Sequence, residues 1–302
     1  ETVATVTDLL GRRILAANFS SSATPLPSSS TSQCYVGFTV AGGGGAARSA
    51  YDVIVYLLRR WGGSSVDWAR LPEVADALAP YQVDTWIDSV LTDPWTWIEG
   101  TLVADLPVDV RTSAVGRYLV AKRYVSDPSR RVGSVSADRG QAARTSAVSR
   151  DGQPYNEYTA TYRRSIPGDL LGAVTLTGDS SYSSAPGLLA PGATNLLQYV
   201  TIARSAACLA SYARYGLRQA DPIEIDWSWD TATVVRCLEW RAERSASPAL
   251  MVEYDITDGE DLREGDEVLL TDSELAWSAV PSIVEDPPVR GVTTSVLLRV
   301  LA

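Results

Sequence analysis

The stretch VAGGGGAARSAYDVIVYLLRR, residues 40–60, sets four consecutive glycines directly before a run of helical periodicity. Whether those glycines cradle a phosphate decides the class of the protein. A Walker loop requires G-x-x-x-x-G-K-[ST]. Gly45 is followed by AARSAYD, with no lysine and no Ser or Thr at the required place. The dinucleotide fingerprint fails as well, because its third glycine is missing from the required position. Helix N-termini attract anions, and Arg48 beside this one keeps an anion reading open. The stretch otherwise reads as a hinge from one segment into a new module.

Downstream of the hinge, Ser49 and Asp52 have the S-x-x-D spacing of a capping box. Ile54, Leu57, Leu58 and Trp61 then recur at helical spacing, and Gly62-Gly63 closes the helix. PEVADAL (72–78) predicts a second short helix and YQVDTWID (81–88) a strand. DPWTWIEGTLVADL (93–106) predicts a third helix, with Asp93 as N-cap, Pro94 in its first turn, and Trp95, Ile98 and Leu102 on one face. PVDVRTSAVGRYLVAKRYV (107–125) reads as a β-hairpin with Tyr118 and Val120 on one side. Residues 49–125 thus form a small α/β module.

The flanking segments are β-rich. In residues 1–48, VATVTDLL and CYVGFTV read as strands around a Ser/Pro loop, SSSATPLPSSSTS (20–32). This is an N-terminal β segment too short for an independent barrel: either later strands complete it, or part of the original domain is missing. In residues 126–302, NEYTATY puts Tyr158, Ala160 and Tyr162 on one side. IEIDWSWD alternates Ile223, Ile225, Trp227 and Trp229 against polar residues. Helices are expected over SAACLASYARYG, closed by Gly216, and over DTATVVRCLEWRAERS, capped by Asp230 and burying Val234, Cys237 and Leu238. GDSSYSSAPGLLAPGA (178–193) reads as a long loop. EGDEVLLTD and VTTSVLLRVL are terminal strands, with Val292, Val296, Leu298 and Val300 facing one way. The fold class is α+β and mainly β, with barrel-type domains and an inserted small α/β module.

Composition narrows the chemistry. The chain of 302 residues has no histidine, which removes Ser-His-Asp and Cys-His machinery, histidine bases and histidine metal sites. Cys34, Cys208 and Cys237 lie far apart with no CxxC spacing and read as buried, reduced residues. The net charge is −10, which argues against general nucleic-acid or anionic-membrane binding. Lys122 is the one lysine, and no S-x-x-K spacing places a serine to use it. No apolar run is long enough to span a bilayer, so no membrane anchor is expected.

Two constellations remain. DITDGEDLREGDE (255–267) holds Asp255, Asp258, Glu260, Asp261, Glu264, Asp266 and Glu267. It fails the EF-hand pattern because Ile256 stands two places before Asp258. A solvated turn is the plain reading; an ion site and paired-carboxylate glycosidase chemistry are the rivals. The second constellation is aromatic: Trp86, Trp95 and Trp97 in one module, Trp227 and Trp229 on one strand. Trp95 and Trp229 have core-facing periodicity, whereas Trp97 falls off its helix's apolar face and reads as an interface anchor. Aromatics beside acids also fit a carbohydrate-binding platform.

With catalysis set aside, an ordered pattern stands out. AYDVIVYLLRRWGGSSVDWARLPEVADAL (50–78), YQVDTWIDSVLTDPWTWIEGTLVADLPVDVR (81–111) and GRYLVAKRY (116–124) follow one another. YNEYTATY, ARYGLRQADPIEIDW, TATVVRCLEWRAER and LREGDEVLLTDSELAW come after them. This order resembles the bacteriophage tail hub proteins of baseplates and tail tips, across roughly residues 49–302. The resemblance implies a structural, non-enzymatic protein without cofactors, with barrels related to the tail-tube protein. It implies a homotrimeric ring at the distal end of the virion tail. Its partners would be the tail tube or distal tail protein, the tape-measure protein, and tip, spike or fibre proteins. DNA would pass through during genome ejection without sequence-specific binding. Part of the 255–267 cluster would then line the channel or its rim and repel phosphate. The rivals are a carbohydrate-binding or glycoside-cleaving tail protein and a hexameric distal tail adaptor.

Overall fold

A computed structural model describes residues 2–7, 13–18, 49–61, 65–85, 93–138, 142–146, 148–164, 170–181, 199–256, 262–288 and 295–301. CYVGFTV, the Ser/Pro run, the four glycines, Arg48, Gly62-Gly63, Trp86, Val292 and most of the 178–193 loop lie outside them. Two compact units are present, Glu1–Ala41 and Gly42–Ala302. In the first, β1 (Thr2–Thr7) and β2 (Arg13–Asn18) pair antiparallel, with Thr2 opposite Asn18. β1 overlaps the expected VATVTDLL strand over Val3–Thr7; the sequence reading had no strand for its partner.

The second unit opens with α1 (Ala50–Trp61). The Asp52 N–H donates to Ser49 Oγ at 3.2 Å, the capping contact that the S-x-x-D spacing predicts. Ile54, Leu57 and Leu58 are buried. A 3₁₀ turn (Leu71–Val74) runs into α2 (Ala75–Leu78). Of the strand expected at 81–88, residues 81–85 are described, and among them there is a single bridge, Ser49 to Gln82. The backbone there bonds elsewhere: Tyr81 O accepts from Ala50 N, Gln82 N donates to Thr233 Oγ1, and Asp84 N donates to Trp227 O. α3 (Pro94–Trp97) is capped by Asp93, whose Oδ1 accepts from Trp95 N at 3.0 Å. It continues as a π-helical turn (Ile98–Val103), and Trp95, Ile98 and Leu102 are buried as expected.

β3 (Val108–Thr112) and β4 (Arg117–Ala121) form the expected hairpin. Its turn requires Gly116, because a Cβ there would lie 2.8 Å from the Ser65 carbonyl. β5 (Arg131–Ser136), β6 (Ala142–Arg144) and β7 (Ser149–Asp151) follow and join a large sheet. A separate four-stranded sheet has the order β10-β9-β8-β11, from β8 (Glu157–Arg164), β9 (Leu170–Thr177), β10 (Tyr199–Arg204) and β11 (Ile223–Ile225). α4 (Ala206–Tyr215) and α5 (Thr231–Ser245) are capped by Ser205 and Asp230. Gly216 ends α4 with φ +70°. The IEIDWSWD strand stops after three residues. Trp227 stays buried, but Trp229 is 43% exposed, contrary to its core-facing periodicity. The cause is local: Ser228 Oγ accepts from Asp230 N, turning the chain into the cap of α5.

The large sheet has the order β5-β13-β14-β15-β12-β6, with β7 also on β12. Its later strands are β12 (Ala249–Ile256), β13 (Glu267–Asp272), β14 (Trp277–Asp286) and β15 (Ser295–Val300). Only the β5–β13 pairing is parallel. The sheet curls into a half-barrel, and among the described residues no pairing joins β5 to β6 or β7. The fold is therefore mixed and mainly β, and among the described residues the expected barrel is represented by this curled half-barrel sheet without closure.

Two apolar cores result. One collects α1, α3, α5 and the hairpin with β8, β9 and β11, so it draws on residues both before and after 125. The other lies on the large sheet, around Val252, Tyr254, Val268, Leu270, Val284, Val296 and Leu298. No helix among the described residues is long and apolar enough to cross a membrane.

Candidate functional site

The acidic run separates into groups with different surroundings. Asp258, Glu260 and Asp261 lie outside the described residues. Asp255, near the end of β12, is exposed. Glu264 reaches across to β3 and ion-pairs with Arg111, which also meets Asp109 at 3.1 Å. Lys122 Nζ lies 2.9 Å from the same Asp109. Burial works against the Asp109 carboxylate, yet Lys122 and Arg111 outweigh it and hold its pKa below the usual range. Asp266 has the opposite balance. Burial raises its pKa despite a 2.8 Å bond from Arg263 N.

Glu267 departs furthest from a solvated turn. As the first residue of β13 it is only 3% exposed. Its carboxylate accepts from Asp127 N at 2.6 Å, Arg131 Nη2 at 2.7 Å and Ser126 Oγ at 3.0 Å. Burial alone would raise its pKa; these donors together hold it below the ordinary range. Glu267 therefore ties the 126–131 segment to the sheet. Sequence spacing missed this because its partners stand about 140 positions away. A second buried carboxylate, Asp272, accepts from Tyr254 Oη at 2.7 Å and from Arg144 Nη1 at 3.3 Å. Burial first, and then Asp272, push the Tyr254 phenol upward.

Trp97 is half-buried and packs against the first core. Among the described residues the exposed aromatics are Tyr56 on α1 at 60%, Trp68 at 40% and Trp229 at 43%. Trp68 precedes a turn anchored by Asp67, which accepts from Ser113 Oγ at 2.8 Å in the β3–β4 turn. The more exposed Val115, at 70%, belongs to that β3–β4 turn. Only Trp97 was singled out as an anchor from sequence. Helical spacing marks the residues that leave a buried face but not the loop aromatics.

Two clefts flank Trp240 on α5. One, of about 390 Å³, is walled by Tyr81, Tyr124, Trp240, Glu239 and Glu243. The other, of about 520 Å³, is walled by Tyr155, Ile223, Trp240, Arg241, Arg244 and Arg299, with Asp221 its one carboxylate. Cys208 and Cys237 are buried free thiols, as the cysteine spacing predicts, and burial raises both pKa values. Cys34 lies outside the described residues. Among the described residues no group of three or more Cys, Asp or Glu is arranged to hold a metal ion.

No protein-family profile and no curated protein matches the chain. Among solved structures it is similar to the prophage tail protein gp18 from Listeria monocytogenes EGD-e. Identity is 12%, with 68% of this chain and 51% of that one covered and a TM-score of 0.36. It is similar to a tail protein from Neisseria meningitidis MC58 at 12% identity, covering 83% and 66%, with a TM-score of 0.34. For the phage P2 baseplate in its activated conformation with Ca, identity is 10%, coverage 76% and 58%, and TM-score 0.18. The chain spans between about half and two thirds of the length of these structures.

Proposed function

We propose that this chain is a structural subunit of a bacteriophage tail and acts as the hub at its distal end. The observation that carries the reading is the order of sequence motifs from AYDVIVYLLRR (50–60) to LREGDEVLLTDSELAW (262–277), which resembles the tail hub family. The open curled sheet is compatible with it. Strand edges unpaired within a chain offer backbone groups to a neighbouring chain. On this reading three copies close into a ring. The ring joins the tail tube or distal tail protein to the tip, spike or fibres, meets the tape-measure protein, and lets DNA pass. It works by shape, with no catalytic chemistry and no cofactor. Part of the 255–267 cluster faces the channel or its rim. Asp255 is the exposed described member, while Glu264 and Glu267 are engaged with arginines. Trp97 contributes to a subunit contact.

Native mass measurement of the purified chain tests the proposal. Three copies per particle are expected. Six copies would favour a distal adaptor. A persistent monomer, or turnover of a polysaccharide, would overturn the hub reading.

A further inference from the structure

The 390 Å³ cleft beside α5 holds two carboxylates without a counter-ion. Glu239 and Glu243 stand four residues apart on α5, and neither has an ion pair or hydrogen bond among the described residues. Like charges at that spacing repel unless a cation joins them. Burial first, and then Glu239, raise the Glu243 pKa, although its side chain still reaches solvent. Tyr81 supplies an independent sign. It is only 7% exposed, and its hydroxyl has no hydrogen bond among the described residues. That hydroxyl is aimed at this cleft. After burial and Cys237, its pKa is raised by Glu243 and Glu239 and lowered by Arg236, and these three residues all line the cleft. Tyr81, Glu239 and Glu243 line this cleft and not the 520 Å³ one.

The other polar groups of the lining are accounted for within the chain. Lys122 Nζ lies 2.9 Å from Asp109, and Arg123 Nη1 lies 2.6 Å from Asp127 Oδ2. Ser126 Oγ donates to Glu267. Arg236 Nη1 donates to Pro80 O at 3.2 Å but meets no carboxylate among the described residues. Arg299, stacked over the Tyr124 ring, is paired with Glu285. The unmade donors Trp240 Nε1 and Arg241 Nε are enclosed within the fold and are not offered to either cleft. Each paired cation is thus cancelled by its own carboxylate. Arg236, Glu239 and Glu243 are left, a surplus of one negative charge.

We propose that this cleft seats one arginine side chain of a partner chain, its guanidinium shared by Glu239, Glu243 and the Tyr81 hydroxyl. Charge sets the class of ligand, because the surplus matches a single organic cation. A metal ion is the poorer fit, since no group of three or more Cys, Asp or Glu is arranged to hold one among the described residues. The walls favour arginine over lysine. Two separate carboxylates and a hydroxyl suit the several fixed donors of a guanidinium. The Tyr81 and Trp240 rings beside them suit its flat face. The cleft volume is in the range of ligand sites. The inference holds whether or not the chain closes into a ring.

The test titrates the full chain, ¹⁵N-labelled, with acetyl-GRG-amide, with acetyl-GKG-amide, and with the peptide carrying neutral citrulline in place of the arginine. The indole cross-peak absent from Trp240→Phe identifies Trp240. The arginine peptide should shift that peak. The lysine peptide should bind about threefold more weakly and the citrulline peptide about tenfold more weakly. Glu243→Gln should weaken arginine binding about fivefold, and Tyr81→Phe about threefold. Neither should lower the melting temperature, because one removes a like-charge repulsion and the other an unbonded hydroxyl. Asp221→Asn, the carboxylate of the 520 Å³ cleft, should leave binding unchanged. An unmoved Trp240 peak, or lysine or citrulline binding as tightly as arginine, overturns the proposal. So does unchanged binding by Glu243→Gln, a lowered melting temperature of that variant, or an equal loss with Asp221→Asn.

Discussion

The two cores of the second unit are held in different ways. The first is built from large side chains, with Trp95, Trp227 and Tyr162 each at most 1% exposed among leucines and isoleucines. The second is a thinner layer, mostly of valines on one sheet, and it carries buried carboxylates at its margin. Glu267 and Asp272 are 3% and 2% exposed, and each meets an arginine. Apolar burial needs no particular protonation state. A buried ion pair does, and it fails when either partner is removed. The helix-bearing core has buried carboxylates of its own, Asp105 paired with Arg241 and Glu157 at 3% exposure. The contrast is therefore one of degree: volume should dominate in the first core, and charge should weigh more in the second.

The largest effect expected is on volume. Trp95→Ala should cost about 3–5 kcal/mol, because it empties a filled position between α1 and the π turn. Denaturant unfolding measures it, and a loss under about 1 kcal/mol would break the contrast. Next is Glu267→Ala. It leaves Arg131, Ser126 and Asp127 N without their acceptor and should cost about 2–3 kcal/mol, less than a full buried pair because Arg131 is 30% exposed.

The pH response sharpens the same point. Glu267 has a folded-state pKa below its ordinary value of 4.5. Its contribution is fully present above that ordinary value and is lost as pH falls through the lower folded one. Asp266, whose pKa is raised, acts with the opposite sign and softens the loss. Thermal melts at pH 7, 5 and 3.5, followed by fluorescence, should show Trp277 of the sheet core responding to acid before the first-core tryptophans. Simultaneous loss would remove the distinction. Between pH 6 and 8 the melting temperature should stay flat, because the chain contains no histidine. The smallest effect is at a cap. Asp230→Ala removes the acceptor for Thr233 N at 2.8 Å and should cost about 1 kcal/mol.

Legibility in the sequence followed the range of the interactions. Caps at Ser49, Asp93 and Asp230 act over three residues or fewer, and all three are where the spacing places them. The alternation of Tyr158, Ala160 and Tyr162 predicted a buried strand face, and all three are buried. Local periodicity failed where a neighbour redirected the backbone. Trp229 keeps the strand's alternation in sequence but is turned outward by the α5 cap. Residues 81–85 of the expected strand bond to α1, Trp227 and Thr233, partners that no window of eight residues contains. The acidic run was the least legible part of the candidate site. Whether a carboxylate meets water or an arginine depended on the distant Arg111 and Arg131. The unmade donors of Trp240 and Arg241 were equally hidden, since an accounting of acceptors exists only once the chain is folded.

The central claim is that this chain works by closing into a ring with its own copies. Cryo-electron microscopy of the isolated assembly tests it most directly. The account predicts a threefold ring with an open axial passage and part of the 255–267 carboxylates on the passage wall or rim. A particle without an axial opening, or with those carboxylates all on the outer wall, would contradict it.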